Sequence, residues 1–143
     1  MSKYNAKKVE YKGITFDSKA ECEYYQHLES KMNGVNYDRI EIQPRYELVP
    51  KFGKQRKAEY IADFALYLND ELIEVIDVKG RPTETAKIKA KMFRYLYRDV
   101  KLTWICKAPK YTGLDWIEYD ELVKVRRQRK KEKGWWDGTS SEN

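Results

Sequence analysis

Apolar and polar positions change period several times along this 143-residue chain, and each change marks an element. Two short runs rich in Ile, Val, Leu, Phe and Tyr, at 61–68 and 72–78, predict strands. Asn69-Asp70-Glu71 between them predicts a hairpin connection of two or three residues. Upstream, residues 7–16 read as a hairpin or extended arm, with Gly13 at a bend and Ile14 and Phe16 as anchors. Asp17-Ser18 then opens a helix that runs to about Met32 and stops before Asn33-Gly34. Positions 21, 25, 28 and 32 of that helix share one face, and Tyr25, Leu28 and Met32 occupy three of them. A third strand is expected over 39–49, where Ile40, Ile42, Tyr46 and Leu48 alternate. Gln43-Pro44 interrupts it, as at a sheet edge or a bulge, and Gln43 points away from the Ile face.

Residues 50–57 predict a basic, flexible loop. After Gly80-Arg81-Pro82-Thr83 a second helix is expected over about 84–98. Its apolar stripe reads as Ile88, Met92, Tyr95 and Leu96, with Lys87, Lys91, Arg94 and Arg98 on another face. Residues 102–106 predict a last short strand, 109–113 a loop, and Asp120 onward a terminal helix that frays. Trp135, Trp136 and the Ser-rich end read as disordered without a partner.

Length implies one domain, 1–123 with a core over about 14–106, followed by a basic helical extension and disordered tail at 124–143. No apolar run approaches the ~18 residues of a membrane span, and no secretory signal opens the chain, so a cytoplasmic protein without a membrane partner is expected. Cys22 and Cys106 fit free buried thiols in a reducing compartment better than a disulfide framework. A single histidine, His27, excludes most His-based metal sites and any His-dependent nuclease motif. Charge is uneven: residues 124–143 carry seven basic and three acidic side chains, a net +4 of the chain's +6. That block, with Arg126, Arg127 and Lys130, suits a polyanion such as DNA or serves as a solvated, solubilising tail.

Chemistry concentrates in the two central strands. Asp63 is enclosed by Ile61, Ala62, Phe64 and Ala65, and Asp77 by Val75, Ile76 and Val78. A three-residue hairpin loop puts the two aspartates directly opposite, with Cβ atoms roughly 5 Å apart; a two-residue loop makes them diagonal neighbours. An isolated Asp-X-Lys is usually the exposed face of an edge strand, but carboxylates set in apolar runs need a partner or a purpose. Like charges face to face are destabilising unless neutralised, and a hard divalent cation is the simplest remedy. Lys79 lies on the same strand face as Asp77. Glu21 has two readings. Ser18-Lys19-Ala20-Glu21 has the form of a capping box, yet Glu21 also heads the core-facing stripe of its helix, where a carboxylate would reach a buried site.

In this order the motifs resemble the PD-(D/E)XK nuclease superfamily, and within it a small phage- and prophage-encoded nuclease-like family. The resemblance spans about residues 3–106. It rests on Phe16-Asp17-Ser18-Lys19-Ala20-Glu21, Gln43-Pro44, Tyr60-Ile61-Ala62-Asp63-Phe64, Asp77-Val78-Lys79-Gly80, and Lys87, Lys89 and Lys91. Two positions depart from it: Ala62 precedes Asp63 where Pro is usual, and Asp77 stands where many members have Glu. The resemblance implies a restriction-endonuclease-like α/β core: helix, three strands, helix, strand around a mixed four-stranded sheet, here with a basic C-terminal helix added. It implies a Mg²⁺- or Mn²⁺-dependent DNA endonuclease in which Asp63, Asp77 and the Val78 carbonyl hold metal. Glu21 would bind a second metal or its water, and Lys79 would position the attacking water and stabilise charge on the phosphate. Gln43, Lys54, Arg56, Lys87, Lys91 and Arg94, with the C-terminal block, would contact DNA. Duplex, single-stranded and junction DNA all stay open as substrates, branched or recombination intermediates among them; a homodimer is the implied assembly by analogy, and the cytoplasm of a bacterial host the implied place of action. The competing expectation is a non-catalytic DNA-binding or host-enzyme-inhibiting protein on the same fold.

Overall fold

A mixed five-stranded sheet organises the chain. The computed structural model describes residues 7–137, in the order β1 (Val9–Tyr11), β2 (Ile14–Phe16), α1 (Lys19–Lys31), β3 (Arg39–Ile42), β4 (Arg45–Val49), β5 (Ala58–Ile61), β6 (Phe64–Leu68), β7 (Glu71–Val78), α2 (Glu84–Leu96), β8 (Lys101–Lys107), β9 (Trp116–Glu118) and α3 (Tyr119–Asp137). The main sheet runs β3-β6-β7-β8-β9, with β7 and β8 parallel and the other neighbours antiparallel. The parallel pair needs a crossover, and α2 supplies it. β1-β2 and β4-β5 are separate two-stranded ribbons. The sheet therefore has five strands where four were expected, because Trp116–Glu118 adds an edge strand too short to read from its pattern.

Both long strand runs are broken. The 39–49 run splits at Gln43-Pro44 into β3, an edge of the main sheet, and β4, half of a ribbon. The 61–68 run splits at Ala62-Asp63 into β5 and β6 in the same way. Gln43-Pro44 marks the first break in the sequence, whereas pairing alone decides the second, since the apolar run continues through it. The β6–β7 turn has two residues, Asn69 and Asp70, with φ of 53° and 66°. Two positive φ values are what a tight hairpin consistent with strand twist demands. A register shift then opposes Leu66 to Glu74, after Tyr67 to Leu72, so the strands reach Asp63 in the register a three-residue loop would have produced.

α1 begins where expected: Ser18 caps it, its Oγ accepting from the Glu21 amide at 3.1 Å. Its buried face is Cys22, Tyr24 and Leu28, with Tyr25 packed alongside; Met32 sits at the C-cap and is exposed. That face covers Phe64, Leu66, Ile76 and Ile105 on one side of the sheet. On the other side α2 and the β4-β5 ribbon enclose Val75, Leu102 and Trp104. The stripe expected on α2 is not the packed one. Ala90 and Phe93 are buried, with Ala86, Tyr97 and, from the expected stripe, Met92 packed alongside, while Ile88, Tyr95 and Leu96 are exposed. The two alanines let α2 approach the ribbon closely, and the bulkier residues one position round are left outside.

α3 spans the boundary expected at residue 123: Leu122 is buried with Cys106 and Ile117, Val125 packs against them, and 126–133 are exposed. The tail at 138–143 and the side chains of Trp135 and Trp136 lie outside the described residues. Cys22 and Cys106 are both free and buried. Among the described residues no helix is long and apolar enough to cross a membrane.

Candidate functional site

The two strand breaks meet at one corner. The Gln43 amide donates to the Asp63 carbonyl at 2.9 Å and the Ala62 amide to the Pro44 carbonyl at 3.1 Å, so both chains leave the main sheet together. Gln43 takes a φ of 51° to make the bend. Asp63 stands in this break, beside the C-terminal end of β7. Its amide faces both the Ile76 carbonyl, at 3.2 Å, and Asp77 Oδ1, at 2.9 Å. In return Asp63 Oδ2 accepts from the Val78 amide at 2.7 Å. Asp63 thus holds the Val78 amide, and Asp77 shares the Asp63 amide with the Ile76 carbonyl.

Asp77 is only 2% exposed. Its Oδ2 accepts from the Tyr60 hydroxyl, and Trp104 Nε1 donates to the Tyr60 oxygen at 2.9 Å. An indole N–H can only donate, so it directs the tyrosine proton onto Asp77. Lys79 Nζ lies 3.9 Å from Asp77 Oδ2 and 5.3 Å from the centre of the Trp104 ring. Tyr60 and Trp104 are thus part of the site; Tyr60 falls inside the motif around Asp63 without a role assigned to it, and nothing in its sequence context marks Trp104. An aromatic residue in an apolar run reads as core, and both are core residues with a polar end turned to the aspartate.

Burial, then the charges of Asp77 and Glu21, pushes the Asp63 carboxyl up to about 8. Burial also raises Asp77, opposed by the Lys79 ammonium and by the hydrogen bonds from Tyr60 and Asp63. Burial thus shifts both carboxyls toward their protonated forms. Glu21 is raised as well, first by burial and then by Asp17, with a smaller contribution from Asp77. It therefore senses the pair, but among the described residues no group of three His, Cys, Asp or Glu side chains is placed to hold a metal ion. Glu23 and Glu29 are engaged elsewhere, with Lys107 and with Tyr11 and Lys12.

The remaining sequence candidates divide by position. Gln43 borders the site, exposed, its Nε2 3.3 Å from Asp17 Oδ2. Lys87 and Arg94 line a cleft of about 210 Å³ over β8 with Trp104, Tyr119, Glu118 and Asp120, and Arg94 lies 5.8 Å from the Trp104 ring centre. Lys91 is exposed on the same helix. Lys54 and Arg56 sit at the tip of the β4-β5 ribbon; Arg126, Arg127 and Lys130 are exposed on α3. The structure thus brings Asp63, Asp77 and Lys79 together, with Glu21 and Gln43 bordering, and spreads the basic residues over three elements.

Neither the curated proteins nor the solved structures contain a match to this chain. One family matches residues 1–113, a span that holds the whole corner and ends before α3. The chain belongs to that family, described as a protein of unknown function, DUF1064.

Proposed function

We propose that this protein is a metal-dependent DNA endonuclease with a restriction-endonuclease-like core. The observation that carries the reading is the buried Asp63–Asp77 pair with Lys79 beside it, at the end of a sheet strand. The donor set suits a hard divalent cation: Mg²⁺ commonly takes one or two carboxylates and completes its shell with water and substrate phosphate, so a third protein side chain is not required. Asp63 and Asp77 would hold the ion with the Val78 carbonyl, and Glu21 would act through water. When bound, such an ion supplies an electrophile for the phosphoryl oxygens and a nucleophilic water. The protein's own part is positioning. Tyr60 and the Asp63 amide fix the Asp77 carboxylate, and Lys79, held beside Trp104, puts a positive charge where the phosphate gains negative charge. The order α1, β3, β6, β7, α2, β8 in the main sheet and its helices, helix, three strands, helix, strand, supports the same reading, with β4-β5 as an insertion.

One observation favours a second reading. The reciprocal bonds from Asp63 to the Val78 amide and from Asp77 to the Asp63 amide are what a structural clasp at a sheet corner would use, on a protein that binds DNA without cutting it. Purified full-length protein is incubated with supercoiled, linear, gapped and branched DNA in Mg²⁺, Mn²⁺ or EDTA. The nuclease reading expects cleavage in Mg²⁺ or Mn²⁺, none in EDTA, loss of at least ~100-fold in Asp77→Asn and a fall of ~10–100-fold in Glu21→Gln. Undiminished cleavage in EDTA, or none with either metal, overturns it and leaves the clasp.

A further inference from the structure

The β4-β5 ribbon carries a feature that the carboxylate chemistry does not use. It leaves the main sheet at the corner of Asp63 and ends in Lys51-Phe52-Gly53-Lys54-Gln55-Arg56-Lys57, with four cations and no acid. Phe52 is 63% exposed there. Its backbone is nevertheless fixed: the Phe52 and Gln55 amides each donate to the other's carbonyl, at 3.3 and 2.8 Å, and Gly53 turns the chain with a φ of 54°. An exposed aromatic on a closed turn costs little entropy to bring to a partner. The flank of the ribbon is concave, a depression of about 700 Å³ lined by Lys51, Arg56, Lys57, Ile61 and Lys89 of α2. The single acid there, Glu59, is already neutralised by Arg45 at 3.1 Å and Lys57 at 3.2 Å. A basic depression beside an exposed aromatic side chain on a closed turn is an arrangement that can track a phosphate backbone and stack on a base.

We propose that Phe52 is a stacking platform for an unpaired DNA base, so that the ribbon selects DNA with exposed bases, such as gaps, ends and branch points, over continuous duplex. This rests on the nuclease reading and assigns its substrate class. Eight residues separate Gln55 from Asp63, at most ~26 Å, so the stacked base would lie within about eight nucleotides of the cleaved phosphate. In continuous duplex the base faces are already covered by their neighbours, and the ring has nothing to stack on without unstacking a step.

The test measures binding of labelled DNA by full-length Asp77→Asn protein in EDTA, so that cleavage does not enter. Phe52→Ala is expected to weaken binding to gapped and branched DNA by roughly 5–100-fold. Binding to covalently closed circular duplex, which has no ends, should change less than about twofold, and the salt dependence should keep its slope, since no charge is removed. Phe52→Trp should retain affinity, with its added fluorescence quenched by gapped DNA and not by duplex. Equal weakening on every DNA form, no weakening on any, or tighter Phe52-dependent binding of the matching RNA would overturn the proposal. The two readings fail separately. Phe52-dependent binding by a protein that never cleaves leaves the platform and removes the nuclease; metal-dependent cleavage indifferent to Phe52 does the reverse.

Discussion

Asp63 shows how one residue can serve the fold and the chemistry with different oxygens. Oδ2 holds the Val78 amide at 2.7 Å, while among the described residues Oδ1 has no protein donor, which leaves it free for a cation. The carboxyl is pushed up to about 8, chiefly by burial, so the folded protein binds that proton more tightly than the unfolded chain does. Its contribution to stability is complete below about pH 4 and is lost as pH rises through about 8. Asp63→Asn removes this titration while keeping an oxygen for the Val78 amide. Without metal, the variant is therefore expected to gain melting temperature over the parent steadily between pH 4 and 8, each kcal/mol appearing as roughly 4 °C. Millimolar Mg²⁺ should reverse the order at pH 8, because only the parent binds it. A melting difference that is flat with pH and indifferent to Mg²⁺ would make Asp63 a clasp alone. The aspartates were legible in the sequence because charges inside apolar runs are rare. Tyr60 and Trp104 were not, since only the folded geometry shows which polar end faces a carboxylate.

Among the elements, α2 departs most from its pattern. Two stripes satisfy helical spacing on the same segment: Ile88, Met92, Tyr95 and Leu96, and Ala86, Ala90, Phe93 and Tyr97. The first has the greater apolar bulk and so dominates a pattern reading; the second packs, because small residues let the helix approach β4 and β5 closely. Phe93 stacks on Tyr97 at 4.8 Å and meets Tyr60 at 5.3 Å, which ties α2 to the residue that holds Asp77. Phe93→Ala is expected to cost ~3–5 kcal/mol in denaturant unfolding. Ile88→Ala, at a side chain 59% exposed, should stay within about 0.5 kcal/mol. Comparable losses in the two variants would return the buried face to the first stripe.

Across the whole molecule, cations are dispersed around a site that is itself acidic. They lie on the ribbon tip, the outer face of α2 and the exposed length of α3. α3 is part core and part extension, since Leu122 and Val125 pack while Arg126 to Lys133 carries six basic groups and one acid in solvent. Truncation after Val125 therefore keeps the packed turn, though it removes Arg129 from the Tyr111 ring, 3.8 Å away. The shortened protein should fold and bind duplex DNA with a flatter dependence of log affinity on log salt, by roughly 0.9 per lost phosphate contact. Turnover at saturating DNA and low salt should persist, because Glu21, Asp63, Asp77 and Lys79 precede the cut. An unchanged slope would make the extension a solubilising tail.

Local chemistry by itself determined the ends of α1 and α2, the hairpin turn, the burial of both thiols and the proximity of Asp63, Asp77 and Lys79. Each follows from a cap, a turn residue, an apolar run or a two-residue period, all of which act within a few positions. Tertiary structure decided where the 61–68 run divides, which face of α2 is buried, the fifth strand, and the recruitment of Tyr60 and Trp104. Those outcomes depend on which distant segment offers backbone partners and closer packing. At Ala62-Asp63 the apolar run continues, but the hydrogen-bond partners change from β4 to β7, and that change sets the carboxylate at the corner.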